Sequence, residues 1–313
     1  NKTIFDPYVN MLRTQTEAMS ASLGGVNSMT VLSFDTPYKE SDEFSERIAR
    51  NQQLLLKKES NFDKIVDPGA GSYYIENLTN EIAQQAWDLF LEIEENGGFL
   101  ANVISNKVQR DLKATAENRL KNISSRREVL LGTNQFPNFD EVSGLGDISP
   151  KECAKKSKGC GKESDTETLK IVRGAEEFEK LRFATESATK RPKVFMLTIG
   201  NLAMRLARAQ FSSNFFACAG YEIIDNLGFA SVKEGVDAAR KAKADIIVLC
   251  SSDDEYAEYA PQAYELTKNQ EILVVAGAPA CMDELKAQGI VHFIHVRTNV
   301  LESLRGFNTL LNI

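Results

Sequence analysis

A strand, a glycine turn and a helix follow one another within Arg191–Glu222, and this pattern then repeats to the end of the sequence. The stretch opens with the apolar run Val194–Leu197, breaks at Gly200 and continues as an apolar-periodic helix over Leu202–Cys218. Near-continuous apolar strands that alternate with amphipathic helices indicate a parallel sheet covered on both faces. An open sheet of this kind places its ligand at the strand–helix turns of its switch point.

Five such units follow Lys193 and predict a flavodoxin-like doubly wound domain over residues 191–313. The predicted strands are Val194–Ile199, Tyr221–Ile224, Asp245–Leu249, Glu271–Ala276 and Val291–Val296. The predicted helices are Leu202–Cys218, Ser231–Lys243, Asp254–Lys268, Met282–Gln288 and Val300–Leu311. Ser231 caps its helix, with Glu234 three residues on completing a capping box.

Residues 1–135 alternate predicted helices with very short strands. The first predicted helix has Asp6 as its N-cap and Pro7 in its first turn, ends near Ser22, and places Val9, Leu12, Thr16 and Met19 on one face. The other predicted helices span Asp42–Glu59 and Leu78–Glu95, and run from about Leu100 to Arg126. The predicted strands are Ser28–Phe34 and Glu128–Leu131. Two or three such units are too few for a (β/α)8 barrel, which needs about 250 residues. We therefore expect a partial TIM-barrel segment from a longer natural chain, as the missing initiator Met also suggests.

Residues 136–190 are predicted to be a linker, because Pro and Gly punctuate them and a Lys-rich run follows. A helix over Thr168–Arg182 is expected to lie across the boundary. Cys153 and Cys160 flank the Lys-rich run, but their spacing matches no zinc pattern. We interpret them as residues of a solvated linker, with a metal pair as the alternative.

Composition excludes several classes of function. The net charge of −7 argues against nucleic acid as the main partner, because a phosphate backbone requires a basic face. The sequence contains no apolar run of about 18 residues, so no membrane span is expected. Five scattered Cys and the absence of a signal peptide at the start favour a reducing, cytoplasmic location.

Three further features have two readings each. Gly24-Gly25 and Gly69–Gly71 are interpreted as turns, because neither has the Lys-Ser/Thr or helix context of a phosphate loop. The acidic run Asp253–Glu255 with Glu258 is interpreted as a helix start favoured by the macrodipole, with a divalent metal site as the alternative. The cluster of Phe211, Phe215 and Phe216 is interpreted as core or interface because of its helical spacing, with a ligand box as the alternative, and Phe215-Phe216 beside Tyr221 is the best candidate for a patch against a partner.

Several sequence blocks in residues 1–100 resemble, in the same order, the late barrel of acyl-CoA mutases that use adenosylcobalamin. The blocks are Arg13-Thr14 with Glu17-Ala18, Leu23–Ser28, Arg47–Gln52, Asp67–Tyr74 with Glu76 and Leu78-Thr79, and Ala86-Trp87 with Glu94 and Gly97-Gly98. Residues 193–313 resemble the cobalamin-binding domain of the same family. That family is methylmalonyl-CoA mutase, whose members interconvert methylmalonyl-CoA and succinyl-CoA.

The resemblance fails at the position of the residue that would ligate cobalt. The family carries Asp-x-His-x-x-Gly in the first strand–helix turn, where the His is the lower ligand of cobalt and the Asp orients it. Here the turn Gly200–Leu206 contains neither, and Arg205 would repel a cation. His292 and His295 lie on the last predicted strand, at a spacing that points them to opposite faces. We interpret them as strand residues and not as displaced ligands.

The barrel segment departs from the family as well. Catalytic members read Gln-Ser-Leu-His-Thr-Asn after the Gly-Gly pair, and that His contacts the substrate carbonyl. Thr30 stands at the His position and Leu32 at the Asn position. A hydroxyl does not replace an imidazole as a polarising group, and Leu forms no hydrogen bond. Two losses in separate domains imply a non-catalytic paralogue.

The resemblance therefore implies a small subunit that stabilises a catalytic large subunit in a cytoplasmic heterodimer of propionate metabolism. No catalytic or metal-binding residue is expected, and no cofactor is expected to bind this chain, although the assembly would use adenosylcobalamin. Degenerate groove positions are Gly200, Ser251, Ser252 and Gly277, which we interpret chiefly as turn residues. The alternative is a stand-alone binding or regulatory module with a new small ligand at the switch point.

Overall fold

The computed structural model describes residues 1–142, 166–169, 171–268 and 270–313. The chain divides into two compact units, which are described separately. Unit 1 comprises Asn1–Leu120 and Asp147–Arg173, and unit 2 comprises Lys121–Gly146 and Gly174–Ile313. The predicted linker cysteines Cys153 and Cys160 lie outside the described residues.

Unit 2 is built on a parallel five-stranded sheet with the order β2-β1-β3-β4-β5. Its strands are β1 Lys193–Thr198, β2 Glu222–Ile224, β3 Ile246–Cys250, β4 Ile272–Ala276 and β5 His292–Ile294. The helices that lie wholly within unit 2 are α6 Glu176–Ser187, α7 Leu202–Ala217, α8 Val232–Lys241, α9 Tyr256–Thr267, α10 Met282–Ala287 and α11 Val300–Leu310. Every predicted strand and helix after Lys193 is confirmed, with ends within two residues of those expected.

Alternate residues of each central strand enter two separate cores, because successive side chains of a strand point to opposite faces. Val194 and Met196 of β1 pack with residues of α6, α7 and α11. Phe195 and Leu197 pack with residues of α8, α9 and α10 on the other face. The near-continuous apolar strands therefore reflect burial on both faces, as the sequence predicts.

The aromatic pair predicted to face a partner is instead part of the core. Phe215 and Phe216 are both fully buried. The ring of Phe216 stacks on the ring of Tyr221, with 6.1 Å between their centroids, and its centroid lies 5.3 Å from that of Phe307. The expectation of a partner patch was wrong, because α11 covers this end of α7 and supplies Phe307.

Helix α6 falls within the range predicted to be a linker, and it begins at Glu176 where a start near Thr168 was expected. Phe178 and Leu181 of α6 are buried in the core of unit 2. Arg182, which is only 3% exposed, donates from Nη2 to the Glu141 carbonyl oxygen at 2.6 Å. This helix is therefore integral to the packing of unit 2.

Within the described residues, unit 1 is helical and contains no strand. The helices that begin in it are α1 Val9–Leu23, α2 Glu43–Lys58, α3 Tyr73–Glu95, α4 Gly98–Ile104 and α5 Lys107–Ser124. Asp42 caps α2 by accepting from the Ser45 amide, and the Ser45 hydroxyl accepts from the Asp42 amide in return. No helix among the described residues is both long enough and apolar enough to cross a bilayer.

The predicted cap and apolar face of the first helix were wrong. Asp6 has φ +50°, outside the extended region of an N-cap, and the helix begins at Val9. The buried positions are Asn10, Thr14 and Ala18, whereas Leu12 is exposed. Asn10 is buried because its side chain pairs with both backbone groups of Thr3, accepting at 2.9 Å and donating at 2.8 Å.

The two short strands predicted before residue 135 do not form. A run at 28–34 has no neighbouring strand among the described residues with which to exchange backbone hydrogen bonds. Leu131 forms only an isolated bridge with Gln135. There the side-chain oxygen of Asn134 accepts from the Leu130 amide and its side-chain nitrogen donates to the carbonyl oxygens of Ile123 and Glu128, so Asn134 takes up backbone groups of Glu128 and Leu130 that a strand would otherwise pair.

The helices after Gly97 also differ from the prediction. The single helix expected from Leu100 to Arg126 is divided into α4 and α5 at Ser105 and Asn106. Asn106 has φ +59°, a left-handed conformation that ends a helix and that Asn adopts more readily than most residues. The third helix begins five residues earlier than predicted, at Tyr73.

Candidate functional site

The candidate site lies at the carboxyl ends of β1, β3 and β4 in unit 2. Because β2 pairs with one side of β1 and β3 with the other, the chain reverses its winding direction between β1 and β3. In open parallel sheets this is where the strand ends leave a crevice for ligands. The loops that form the crevice here contain Gly200 after β1, Ser251 and Ser252 after β3, and Gly277 after β4.

The side chain of Glu255 occupies the space between the first two of these loops. Its Oε2 accepts from Ser251 Oγ at 2.6 Å and from Ser252 Oγ at 2.7 Å. The Ser252 amide donates to the same oxygen at 3.1 Å, and the Asn201 amide lies 3.2 Å from both carboxylate oxygens. Two hydroxyls and two backbone amides thus converge on one carboxylate.

This concentration of donors stabilises the ionised form of Glu255. The hydroxyls of Ser251 and Ser252 contribute most to lowering the pKa of the carboxyl from 4.5 to about 2. The amides of Asn201 and Ser252 act in the same direction, while desolvation opposes them. The corner therefore holds a permanent negative charge at neutral pH.

Gly200 is the residue that permits the carboxylate to come so close. Its φ is +76°, a conformation that L side chains rarely adopt. A Cβ placed on Gly200 would lie 2.3 to 2.7 Å from the three carboxylate atoms of Glu255. A residue other than glycine would thus be strained by the backbone conformation of this turn, and its Cβ would displace the Glu255 carboxylate from its present position.

Two arginines of α7 close the flanks of the same corner. Arg205 donates to the Gly200 carbonyl oxygen at 3.3 Å and to the Leu227 carbonyl oxygen at 3.1 Å. Arg208 donates to Asp253 Oδ1 at 2.9 Å. A Cβ on Gly277 would lie 2.9 Å from that Asp253 oxygen, so the ion pair covers the loop after β4.

The side chain of Tyr256 joins two strand ends at the corner. Its buried hydroxyl donates to the Ala276 carbonyl oxygen at 2.6 Å and accepts from the Ser251 amide at 3.1 Å. One hydroxyl therefore bridges the carboxyl ends of β3 and β4. Burial raises the pKa of the phenol above its usual range, so the group stays a neutral donor.

The two histidines lie away from this corner. His292 begins β5 and His295 follows it, and β5 is three strand positions from β1, or roughly 14 Å at the usual strand spacing. The ring of His292 packs against Phe307 at 5.5 Å, and the His295 Nδ1 accepts from the Arg297 amide. Desolvation lowers the pKa of both imidazoles.

The structure thus brings the four groove positions named from the sequence to one corner. Sequence reasoning missed the residue that organises them, because Glu255 was grouped with the acidic start of a helix. Ser252 and Glu255 are three residues apart, which is the spacing of a capping box, and this signal could have revealed their pairing. Among the described residues, no group of three or more His, Cys, Asp or Glu is arranged to hold a metal ion.

A pocket lies at the amino ends of β4 and β5, away from the carboxyl strand ends that form the corner. It has a volume of about 250 Å³ and is lined by residues that include Ile272 and His292, the first residues of β4 and β5. Its polar wall includes Glu271, whose Oε1 already accepts from Arg240 Nε at 3.0 Å. It shares no lining residue with the corner at Gly200.

Fold and corner together define an α/β protein with a doubly wound parallel sheet whose switch-point turn lacks an imidazole and holds an internal carboxylate. The sequence profile of the methylmalonyl-CoA mutase family matches residues 1–204. The chain belongs to this family of isomerases.

Three relatives in this family are similar to the chain over stated parts of their length. The methylmalonyl-CoA mutase small subunit of Porphyromonas gingivalis is 60% identical over 308 residues, covering 98% of this chain and 49% of the relative. The small subunit of Streptomyces virginiae is 37% identical over 82% of this chain and 40% of its own length. The methylmalonyl-CoA mutase of Rhizobium meliloti is 45% identical over 42% of this chain and 18% of its own length. The chain thus spans about half the length, or less, of these relatives.

Proposed function

We propose that this chain is part of the non-catalytic small subunit of an adenosylcobalamin-dependent methylmalonyl-CoA mutase. In this proposal a large subunit carries the cofactor and interconverts methylmalonyl-CoA and succinyl-CoA, and the present chain stabilises it in a cytoplasmic heterodimer. The observation that carries the proposal is the 60% identity over 98% of the chain to a protein named as the small subunit of this enzyme.

The residues of the switch-point corner do not fit a corrinoid, which supports a role without bound cofactor. A lower axial ligand to cobalt requires an imidazole that reaches out from the turn after β1. The turn instead contains Leu202 and Arg205, and the carboxylate of Glu255 lies against Gly200. The chain therefore contributes no step that runs through the cofactor.

The substitutions in unit 1 support the same proposal. Thr30 and Leu32, at the positions where catalytic members carry His and Asn, are both exposed and lie in irregular backbone between α1 and α2. Leu32 has no hydrogen-bonding group, and the Thr30 hydroxyl cannot carry the positive charge of an imidazolium. Neither residue is suited to polarise an acyl-CoA carbonyl.

The proposed domain organisation follows the family. Residues 1–135 are assigned to the carboxyl-terminal part of a TIM-barrel domain, residues 136–190 to a linker and residues 191–313 to a flavodoxin-like, degenerate cobalamin-binding domain. The strand order 2-1-3-4-5 supports the last assignment, because flavodoxin-like sheets have this order.

The alternative of a stand-alone module with a new small ligand at the switch point is less well supported. Such a module needs an open polar crevice beside Gly200, Ser251 and Gly277. The spaces beside these residues are taken by Glu255 and by the Arg208–Asp253 ion pair.

Co-purification with spectroscopy tests the proposal. The tagged chain is expressed with a full-length mutase chain that carries the Asp-x-His-x-x-Gly motif, and each chain is also prepared alone as a control. We expect an equimolar complex in which corrinoid absorbance and turnover follow the motif-bearing chain. After incubation of the present chain alone with adenosylcobalamin and gel filtration, we expect no corrinoid absorbance in the protein peak.

Two results would contradict the proposal. One is stoichiometric cobalamin uptake by the chain alone, with an axial histidine nitrogen detected by electron paramagnetic resonance of the Co(II) form. The other is failure of the chain to associate with the motif-bearing chain under conditions where both are folded by circular dichroism.

A further inference from the structure

The donor set around Glu255 has the composition of an anion-binding site. It comprises two hydroxyls, from Ser251 and Ser252, and two backbone amides, from Asn201 and Ser252, and the Ser251 hydroxyl also has the Ile199 carbonyl oxygen as an acceptor at 2.9 Å. These donors come from two different strand–helix loops that meet at the switch point. Converging hydroxyl and amide donors at such loops are suited to a phosphate or carboxylate group.

The carboxylate of Glu255 is not used as a helix cap. Glu255 occupies the N-cap position of α9, yet its side chain accepts no hydrogen bond from the first turn of that helix. Besides its bonds to Ser251 and Ser252 within its own loop, it reaches across to the Asn201 amide of the loop after β1. The contact therefore ties two loops together, which a residue that served only the start of α9 would not do.

The same carboxylate leaves no space over the turn. A methyl group on Gly200 would overlap it, with separations of 2.3 to 2.7 Å. Arg205 closes one flank of the turn and the Arg208–Asp253 pair covers the loop after β4.

We propose that Glu255 is an internal plug, a carboxylate that occupies the anion pocket of the switch-point corner and keeps that corner closed to external ligands. The plug goes beyond the proposed subunit role and does not depend on it, since it concerns only contacts within unit 2. Its removal is expected to expose a pocket that accepts a small external anion.

Chemical rescue tests the plug on the full 313-residue chain. Glu255→Ala removes the carboxylate, Glu255→Gln keeps its size without the charge, and Glu258→Ala is the matched control, an exposed acidic residue in the first turn of the same helix. Thermal unfolding is followed by circular dichroism in sodium acetate, sodium phosphate or sodium chloride at equal ionic strength.

We expect Glu255→Ala to lower Tm by about 3–6 °C, because a charged acceptor of several hydrogen bonds is lost. Acetate or phosphate should restore most of this loss, whereas chloride should not. Glu258→Ala should change Tm by less than about 1 °C and show no anion-specific recovery. Because phosphate stabilises folded proteins non-specifically, the recovery is measured as the rise in Tm beyond that of the wild-type chain in the same salt.

Amide chemical shifts give a second readout that a purely structural role would not change. In Glu255→Ala, and in Glu255→Gln if the alanine variant does not fold, acetate should shift the Asn201 and Ser252 amide resonances in a saturable manner. The wild-type amides should not shift. The plug is refuted if the variant gains no acetate-dependent shift, if no anion restores Tm, or if the wild-type chain binds acetate at these amides equally well.

This result is distinguishable from a failure of the proposed function. The plug is read from Tm and amide shifts, whereas the subunit role is read from complex formation and corrinoid absorbance. A chain that associates with a large subunit but shows no rescue would retain its proposed role without the plug.

Discussion

Replacement of Tyr256 by Phe isolates one hydroxyl that joins two strand ends. The hydroxyl donates to the Ala276 carbonyl oxygen at 2.6 Å and accepts from the Ser251 amide at 3.1 Å. Tyr256, Ser251 and Ala276 are all fully buried, so water does not replace the lost partner without a rearrangement. An unsatisfied buried donor or acceptor costs about 1–3 kcal/mol. For the two groups together we expect a loss of about 2–4 kcal/mol in the free energy of unfolding.

Urea unfolding followed by far-ultraviolet circular dichroism measures this loss, and hydrogen exchange of the segment 246–256 locates it. For a unit of this size the change corresponds to a Tm decrease of about 5–15 °C. Tyr259→Phe is the control, because Tyr259 lies on the same helix and its hydroxyl makes no hydrogen bond within the described residues. We expect that variant to differ from wild type by less than about 0.5 kcal/mol. Equal stabilities of the two Phe variants would refute the reasoning.

Two further predictions concern charged groups of unit 2. Arg182→Ala should lower the free energy of unfolding in urea by about 3–5 kcal/mol, because the carboxylates of Glu141 and Glu186 lose a buried cation. Arg305→Ala removes an exposed pair with Glu177 and should lower the free energy of unfolding by less than about 1 kcal/mol. The pH dependence concerns Glu255, whose folded pKa of about 2 lies below its ordinary value of 4.5. Its stabilising effect is present above pH 4.5 and is lost as the pH falls towards 2, so the stability difference between wild type and Glu255→Ala should shrink over that window. An equal cost for the two arginine variants, or a pH-independent difference, would contradict these predictions.

The sheet of unit 2 was predictable because burial on both faces leaves a strong signal. The run Ile246–Cys250 is apolar throughout and fully buried, so its length and its flanking turns define the strand. Asn299 and Ser231 accept from amides three residues on and fix the starts of their helices, as cap chemistry predicts. In these segments local and tertiary preferences agree.

Unit 1 was less predictable because long-range polar pairs decide which face of a helix is buried. In α1, Asn10 and Thr14 are buried through bonds to Thr3, Phe34 and Gln52, partners that are 7 to 38 residues away in sequence. Apolar periodicity contains no information about such partners, so it selected the opposite face. The predicted strand at 28–34 failed for a related reason, since a strand exists only where a neighbour pairs with it.

In the switch-point corner, too, features set by neighbouring residues in the sequence were predictable and contacts between distant residues were not. The absence of an imidazole could be read from the turn itself, because the turn is contiguous in sequence. The identity of the group that fills the space could not, because Glu255 reaches Gly200 across 55 positions of sequence through loops whose geometry the sheet sets.

Under the proposal that Glu255 is a plug, the α/β unit keeps its fold without a ligand at the switch point. Its two cores are formed by side chains of β1, β3 and β4 and by the helices on both faces, and none of the corner groups Glu255, Arg205 and Arg208 belongs to either core. The amide and hydroxyl donors that converge at the switch point need acceptors when no external ligand is bound. A carboxylate supplied from the next loop satisfies these donors within the chain. Under the proposal that Glu255 is a plug, these donors need no external anion, which is what the Glu255→Ala rescue experiment tests.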